Sequence, residues 1–286
     1  MDRRRLCIAI PASFVSDTPH LREKTSKIGL VGRAAAIFRV DEIILYSDSL
    51  HVNQRPELDL ISLLLAYMET PQYLRKRLFR LEPRLQYAGI LPPLRTPHHP
   101  LNRKLSGLKV GEYREGAVLS RANGGFLVDI GVEKPVVTSN ISAASGPRIT
   151  VKIIKTGMHA EAELADRDEI SQYWGYSVSV ENRLLGSILK ERAFGLVIAT
   201  SRYGSSLAEI AQQLAEKWKR TDAVMVAFGA PSQGLSEIIG HEGLSLSDVA
   251  DFVVNTIPMQ GTQTVRTEEA LLASLSAISC ALEMSG

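Results

Sequence analysis

Three loops in the last third of the chain combine small polar side chains with glycine. They span residues 200–204, 228–234 and 255–269, and each follows a short apolar run that is typical of a buried strand. Their glycines, at positions 204, 229, 234 and 261, allow the backbone to approach a ligand closely. In open α/β sheets, ligands bind beyond the carboxyl ends of the strands. The loops therefore predict a pocket for a small polar ligand, lined mainly by main-chain atoms.

The sequence motifs of several common enzyme classes are missing. The chain contains no GxGxxG, GxxxxGKS/T, HExxH or GxSxG pattern, and its six histidines are not spaced as metal ligands. His98 and His99 lie between prolines, which is typical of a plain loop. Hydrolytic and metal chemistry are therefore not supported, and we expect no metal. The two cysteines, Cys7 and Cys280, lie at opposite ends of the chain, which argues against a disulfide framework and for a reducing, cytoplasmic location.

The composition is that of a globular protein of about two domains. The chain has 286 residues, of which 45% are hydrophobic and 22% are charged, and its formal net charge is +2. This near balance excludes a uniformly basic nucleic-acid coat and an acidic disordered tail. The apolar run at residues 6–10 is too short for a signal peptide and ends at Pro11. No apolar stretch approaches the roughly 20 residues that cross a bilayer, so we expect no membrane partner.

Apolar runs and turn residues divide the chain into three segments. In residues 1–92 and 167–286, buried-type strands alternate with helices, which predicts an α/β domain: a mostly parallel sheet with helices on both faces. Residues 93–166 are rich in glycine and in short alternating strands, which predicts an inserted OB-like β-barrel; a long β-hairpin on a larger domain is the alternative. The strands predicted for the α/β domain are 6–10, 42–46, 195–199, 223–227 and 252–255, and the helices are 18–38, 58–69, 72–81, 206–219, 235–239 and 267–283.

A basic stretch leads into the predicted barrel. Between residues 71 and 109 there are nine lysines and arginines but only one acidic residue, Glu82. Such clusters neutralise phosphates, and OB-like barrels commonly hold nucleic acids, so we expect this stretch to bind RNA. A solvated helix face followed by a linker is the alternative. The expected RNA contacts are Arg75, Lys76, Arg77, Arg103 and Lys104.

The first predicted helix carries a polar stripe. Arg22, Ser26, Gly29 and Arg33 share one face at spacings of four, three and four residues. Glycines cost a helix about 1 kcal/mol each relative to alanine, so we expect another group to approach Gly29 closely. That group is either RNA, with Arg22 among its contacts, or a tightly packed neighbour beside solvated arginines.

The three loops and the N-terminal segment resemble a known family. The loops TSRYGS (200–205), FGAPSQGL (228–235) and NTIPMQGTQTVRTEEAL (255–271) resemble the cofactor loops of the SPOUT methyltransferases. Residues 23–43 resemble one branch, the archaeal and eukaryotic RNA methyltransferases whose SPOUT domain is interrupted by an OB-like barrel. Over nearly the whole chain, the resemblance implies a trefoil knot near the C-terminus and S-adenosylmethionine bound largely by backbone groups. The implied cofactor contacts are Thr200, Arg202, Gly229, Asn255, Ile257, Gln260, Gly261, Thr262 and Val265.

The resemblance also suggests a reaction. It implies ring nitrogen 3 of a uridine in ribosomal RNA as the methyl acceptor, with a ribose 2′-hydroxyl as the other possibility. Arg33 matches an arginine that lies near the acceptor in related enzymes. Glu23 and Glu237 are the carboxylates nearest the matched motifs and are the candidates for a general base, although structural salt bridges would also explain them. The second functional hypothesis is an RNA-binding assembly factor that keeps the fold without catalysis.

One substitution in the third loop departs from the family pattern. Many relatives have glycine where this chain has Met259, and we expect the longer side chain to narrow the approach to the cofactor.

The last predicted helix has more apolar positions than one core-facing stripe requires. SPOUT relatives pair through the knot region, which implies a homodimer in which Arg33 acts across the interface. Burial of the helix within one subunit is the alternative. The apolar positions are Ala270, Leu271, Leu272, Leu275, Ala277, Ile278, Ala281 and Leu282.

Overall fold

The computed structural model of the protein describes residues 4–122, 125–139, 146–191 and 194–284. It consists of two compact units. The first comprises Met1–Ala66, Gln86–Pro92 and Tyr176–Gly286 and is called the sheet unit below. The second comprises Tyr67–Leu85 and Pro93–Gly175 and is called the barrel unit.

The strands and helices are numbered in chain order. The strands are β1 (Arg5–Pro11), β2 (Glu42–Tyr46), β3 (Tyr113–Ala122), β4 (Gly125–Asp129), β5 (Val136–Ser139), β6 (Arg148–Lys155), β7 (Glu161–Leu164), β8 (Ser177–Glu181), β9 (Leu196–Ser206), β10 (Ala223–Ala227) and β11 (Phe252–Asn255). The helices are α1 (Leu21–Ile37), α2 (Arg55–Glu69), α3 (Gln72–Leu78), α4 (Leu185–Glu191), α5 (Leu207–Lys219), α6 (Leu235–Gly240) and α7 (Thr267–Met284).

The sheet unit is built on six parallel strands in the order β11-β9-β10-β1-β2-β8. Successive side chains of a strand point to opposite faces, and β1 is buried on both. Cys7 and Ala9 join a core cluster with residues of α4 and α6, while Ile8 and Ile10 are buried from the other side. A near-continuous apolar strand is what a sheet covered on both faces requires, and the predicted α/β class is confirmed.

The barrel unit contains a closed five-stranded barrel in the order β3-β4-β5-β7-β6. Only β5 and β7 pair in parallel, and the other neighbours pair antiparallel. Its interior is apolar, with Val128, Val136 and Val151 fully buried. At Gly125 a Cβ atom would lie 2.3 Å from the carbonyl oxygen of Thr138, so glycine is needed where β4 meets β5. The predicted inserted barrel is confirmed; the trefoil knot stays a prediction.

One predicted loop proves to be an excursion within a strand. Val253 of β11 pairs with Ala199 of β9, but the next residue, Val254, pairs with Ser205. Residues 200–204 therefore have no partner on β11 and bulge out of the ladder between β9 and the edge strand β11. Gly204 closes the bulge: a Cβ atom there would lie 2.6 Å from backbone atoms of β11, so this glycine serves strand packing and not a ligand.

No helix in the described ranges is long and apolar enough to cross a membrane.

Candidate functional site

A cleft of about 420 Å³ lies in the sheet unit beside the bulge of β9 and beyond the ends of its two neighbours, β10 and β11. Its walls come from the bulge of β9, from the loop that follows β10, and from the end of β11 with the loop beyond it. Phe228, Leu235 and Val254 form a buried apolar floor, and many polar side chains, such as Thr200 and Gln260, line the cleft above it. A concave site that combines apolar and polar groups is suited to a small polar ligand.

The side chain of Asn255 connects two of the walls. Its Nδ2 atom donates to the carbonyl oxygen of Arg202 at 3.0 Å, and its Oδ1 atom accepts from the backbone N–H of Ile257 at 3.0 Å. Both ends of the amide are thus used by the protein. Asn255 therefore fixes the bulge of β9 against the start of the third loop. The family resemblance implies a cofactor contact for this residue, and the structure gives its side chain a role in holding the loop.

Hydroxyl groups hold the second loop in the same way. The Thr200 hydroxyl donates to the carbonyl oxygen of Ala227 at 2.9 Å, where β10 ends. The Thr267 hydroxyl, at the first residue of α7, donates to the carbonyl oxygen of Gly229 at 3.1 Å. Tyr46 donates from its hydroxyl to the Phe228 carbonyl at 2.7 Å. These bonds preorganise the loop that the glycine pattern had indicated.

The cleft gathers most of the positions that the resemblance had named for the cofactor. Seven of the nine line it, whereas Gly261 and Thr262 are exposed residues outside the lining. Thr262 instead offers its carbonyl oxygen to Nε2 of Gln260 at 3.0 Å, which shapes the third loop. The seven are Thr200, Arg202, Gly229, Asn255, Ile257, Gln260 and Val265.

Met259 does not narrow the cleft. Its side chain is 99% exposed and is not among the lining residues. Its φ angle of +56° is in the left-handed region, which a residue other than glycine adopts at a cost of about 1–2 kcal/mol. The expectation of a narrowed approach is wrong, and backbone conformation explains why glycine suits this position.

Sequence reasoning missed one wall of the cleft. Thr267, Ala270 and Ser274 lie at spacings of three and four on α7 and form the side of that helix that faces the cleft. The sequence pattern assigns Ala270 to the apolar residues that would pack against a second subunit, whereas the structure places it in the cleft lining. The signal that would have identified this wall is the switch from loop to helix directly after the third loop, with small side chains on one face.

The three candidate catalytic residues lie in different surroundings. Glu237 is an exposed residue of α6 that lines the cleft. Glu23 is exposed and Arg33 is half-buried; both belong to α1, and neither lines the cleft. Gly29 on the same stripe is buried, and a Cβ atom there would lie 2.8 Å from Cδ of Pro92, so a packed neighbour approaches this face of α1. Arg22 remains exposed at its N-terminal end.

A buried ion pair joins α1 to α7 at the first turn of α7. The Lys27 ammonium lies 2.7 Å from Oδ1 of Asp17 and 3.6 Å from Oε1 of Glu268, and it donates to the Phe14 carbonyl at 3.0 Å. Burial raises the pKa of Glu268 above its ordinary value, with the Lys27 charge opposing. The pair fixes the helix that supplies the fourth wall of the cleft.

The basic residues of the barrel unit divide into structural and exposed ones. Arg75 donates to the carbonyl oxygens of Thr70 at 2.8 Å and Met68 at 3.0 Å, so its guanidinium caps the end of α2. Arg77 is exposed and pairs with Asp129 at 2.6 Å. The other three predicted RNA contacts, Lys76, Arg103 and Lys104, are exposed.

A second buried charge network stabilises the barrel unit. Arg148 lies 2.5 Å from Glu69 and 2.5 Å from Glu115, and the Trp174 indole donates to Glu115 at 2.6 Å. His98 and His99 lie in a loop, as expected, but His98 is fully buried with its Nε2 atom 3.2 Å from Glu69, so this loop is part of the network. Burial would raise the pKa of Glu69, but the His98 hydrogen bond and Arg148 hold that pKa at about 2. Burial and the His98 charge lower the pKa of His99 to about 4.

Among the described residues, no group of three or more histidine, cysteine, aspartate or glutamate side chains could hold a metal ion.

Comparison with known proteins gives a consistent result along the chain. A family model described as "Putative RNA methyltransferase" matches residues 5–278. A protein of Haloarcula marismortui is 33% identical over 285 residues, covering 95% of this chain and 97% of that protein. Two animal relatives are named 28S rRNA (uridine-N(3))-methyltransferase. That of Mus musculus is 32% identical over 312 residues (98% of this chain, 77% of the relative), and that of Homo sapiens is 31% identical over 309 residues (98% and 79%). The chain therefore belongs to this family of RNA methyltransferases.

Proposed function

We propose that the protein transfers a methyl group from S-adenosylmethionine to ring nitrogen 3 of a uridine in ribosomal RNA. The observation that carries this proposal is the cleft between the bulge of β9 and the ends of β10 and β11, which brings together seven of the expected cofactor positions from three separate segments. The activity named for the mouse and human relatives supports the acceptor atom and the class of RNA.

The lining of the cleft fits S-adenosylmethionine. An adenine ring needs an apolar slot, which half-buried lining residues such as Ala230, Ile257 and Val265 can form, and a ribose and an amino acid need nearby polar groups. Exposed main chain around Gly234 leaves open space, since a Cβ atom there would meet nothing within 4 Å. When bound, the cofactor supplies an electrophilic methyl group on a sulfonium.

The acceptor nitrogen must lose its proton when the new bond to carbon forms. Among the three candidate catalytic residues, Glu237 is the carboxylate that lines the cleft, so it is the proposed proton acceptor. The preorganised loops around Gly229 and Asn255 would hold the donor group in place and need no rearrangement during the reaction.

Arg33 acts on the acceptor from a second subunit in this proposal. The exposed face of α1 combines Arg22 and Ser26 with the apolar side chains of Leu30 and Ile37, which are 53% and 50% exposed. On α7, Leu272 is 48% exposed, whereas Leu271, Leu275 and Ile278 are buried. Because α1 and α7 both expose apolar side chains, a homodimer that buries these side chains against a second subunit is favoured.

A nucleoside analysis tests the proposal. Ribosomal RNA is incubated with the protein and isotope-labelled S-adenosylmethionine, digested and examined by mass spectrometry for labelled 3-methyluridine. Reverse transcription should stop at the modified position, because N3 lies on the Watson–Crick edge, and it should not stop at a ribose methyl. Labelled 2′-O-methyluridine without a stop in reverse transcription would show that the methyl acceptor is the ribose 2′-hydroxyl and not N3. Absence of any labelled nucleoside, with cofactor bound, would favour the non-catalytic assembly factor.

A further inference from the structure

An aromatic side chain in the wall of the cleft is almost wholly exposed. Tyr203 lines the cleft, yet 80% of its side chain is accessible to solvent. Burying an aromatic ring is among the largest favourable contributions available to a side chain, so a ring left outside the core in a ligand site calls for a binding partner.

The ring is also held in position. Tyr203 belongs to the bulge that has no pairing partner on β11, which places it outside the sheet ladder. The guanidinium of Arg202 lies over the ring, 4.6 Å from its centroid, and donates to the Tyr203 hydroxyl. Arg202 is fixed in turn, because it donates to the Gln263 carbonyl at 3.0 Å and its own carbonyl accepts from Asn255.

We propose that Tyr203 is the stacking platform for the acceptor base, and that Arg202 is the positioning residue that orients it. Unpaired RNA bases are recognised by stacking on aromatic rings and on arginine guanidinium planes. A ring anchored on one side and open to solvent has the geometry of such a platform, and it lies in the wall of the cleft assigned to the methyl donor. This inference rests on the proposed function and adds to it the group that selects and orients the base.

The adenine ring of the cofactor is the competing partner for Tyr203. An adenine is best held in enclosed surroundings from which water is excluded, and the Tyr203 ring, at 80% exposed, offers no such enclosure. Its exposure favours the acceptor base over the cofactor as its stacking partner.

Three variants and one control separate these roles. Tyr203→Phe keeps the ring and removes the hydroxyl, Tyr203→Leu keeps apolar bulk without a ring, and Tyr203→Ala removes both. Tyr87→Ala, at another exposed tyrosine of the sheet unit outside the cleft lining, is the matched control. Because the Tyr203 side chain is exposed, all should fold, which the thermal midpoint checks.

Two readouts are measured for each variant: the dissociation constant for oligouridylate in the presence of S-adenosylhomocysteine, and the KM and kcat for methylation of a ribosomal RNA transcript. Tyr203→Leu and Tyr203→Ala should raise the RNA dissociation constant by about 5- to 150-fold, as expected for one lost stacked base, while Tyr203→Phe and Tyr87→Ala stay within about threefold of the wild type. Affinity for S-adenosylhomocysteine, measured by calorimetry, should not change in any of them.

Several results would overturn the assignment. If Tyr203→Leu keeps the RNA affinity and turnover of the wild type, Tyr203 does not stack on the acceptor base. A loss of S-adenosylhomocysteine affinity in Tyr203→Ala would show that the ring contacts the cofactor and not the acceptor base. Failure of the wild type to bind oligouridylate would also refute the inference. If the wild type binds it through Tyr203 but methylates no RNA, the proposed function fails and the stacking site stands.

Discussion

The exposed cations of the barrel unit allow the RNA-binding prediction to be made quantitative. Lys76, Arg103 and Lys104 are exposed, whereas Arg75 is occupied in capping α2 and Arg77 is paired with Asp129. Replacing the first three by glutamine should therefore remove three phosphate contacts without disturbing the fold. Each contact contributes about 0.7–0.9 to the slope of log K against log salt, so the slope should fall by about 2 to 3.

The same arithmetic gives the affinities. Between 50 and 200 mM salt the wild type should lose about 20- to 40-fold more affinity for an RNA transcript than the triple variant does. Fluorescence anisotropy across a salt series measures both slopes. The matched control replaces Lys190, Lys219 and Arg220, which are exposed cations of the sheet unit outside the predicted RNA contacts. If the two triple variants show equal slopes, the barrel unit does not carry the phosphate contacts and the argument from local charge is refuted.

Three further predictions address the cleft, Arg33 and the buried network. Gly229→Val should weaken S-adenosylmethionine binding by at least about tenfold in calorimetry, because even a Cβ atom at this position would lie 3.1 Å from the Leu235 nitrogen and would displace the loop. Gly240→Ala is the control, since a Cβ atom there meets open space. Unchanged affinity in the folded valine variant would show that the cofactor does not bind in this cleft. Arg33→Ala should lower the rate of methyl transfer by an order of magnitude or more with cofactor affinity unchanged, and wild-type turnover would return Arg33 to a structural role. The free energy of unfolding should fall as pH drops from about 5 to 2, because the pKa of Glu69 is about 2 in the folded protein against an ordinary value of 4.5. The ionised Glu69 therefore stabilises the fold fully above the unfolded pKa, and this contribution is lost as the carboxylate is protonated. Acid titration of Glu69→Gln should lack part of this loss, and identical pH profiles would contradict the role of the network.

The element types of the sheet unit were largely predictable because its strands are buried on both faces. Runs such as Ala223–Ala227 and Phe252–Asn255 occur in the structure at the predicted bounds. Two strands escaped prediction for a physical reason. β7 has the sequence EAEL with only Ala162 buried, and β8 alternates serine with valine at the sheet edge and buries none of its residues completely. Neither offers the apolar run on which a strand prediction depends.

The site was predictable in place but not in detail. Glycine and small polar residues after three strands indicated the cleft, because ligands gather where parallel strands end. The bulge of β9 depends on the pairing register with β11, which joins residues about 50 positions apart in sequence, and a local pattern does not contain that information. The same limit applies to Gly29, where the sequence required a close neighbour and only the tertiary structure identifies it as Pro92.

The hydrogen bonds around the cleft determine how a substitution at one of its polar residues should be interpreted. Asn255, Thr200 and Thr267 each use side-chain atoms to hold another loop. Truncating any of them would therefore weaken ligand binding through loss of loop geometry, even where the side chain never touches the ligand. The surface left for recognition is then main chain, half-buried apolar side chains and the exposed side chains at the rim. Such a surface suits a cofactor that is recognised mainly by backbone groups. Tyr203 and Glu237 are among the exposed side chains of the lining, and we propose that they contact the RNA acceptor.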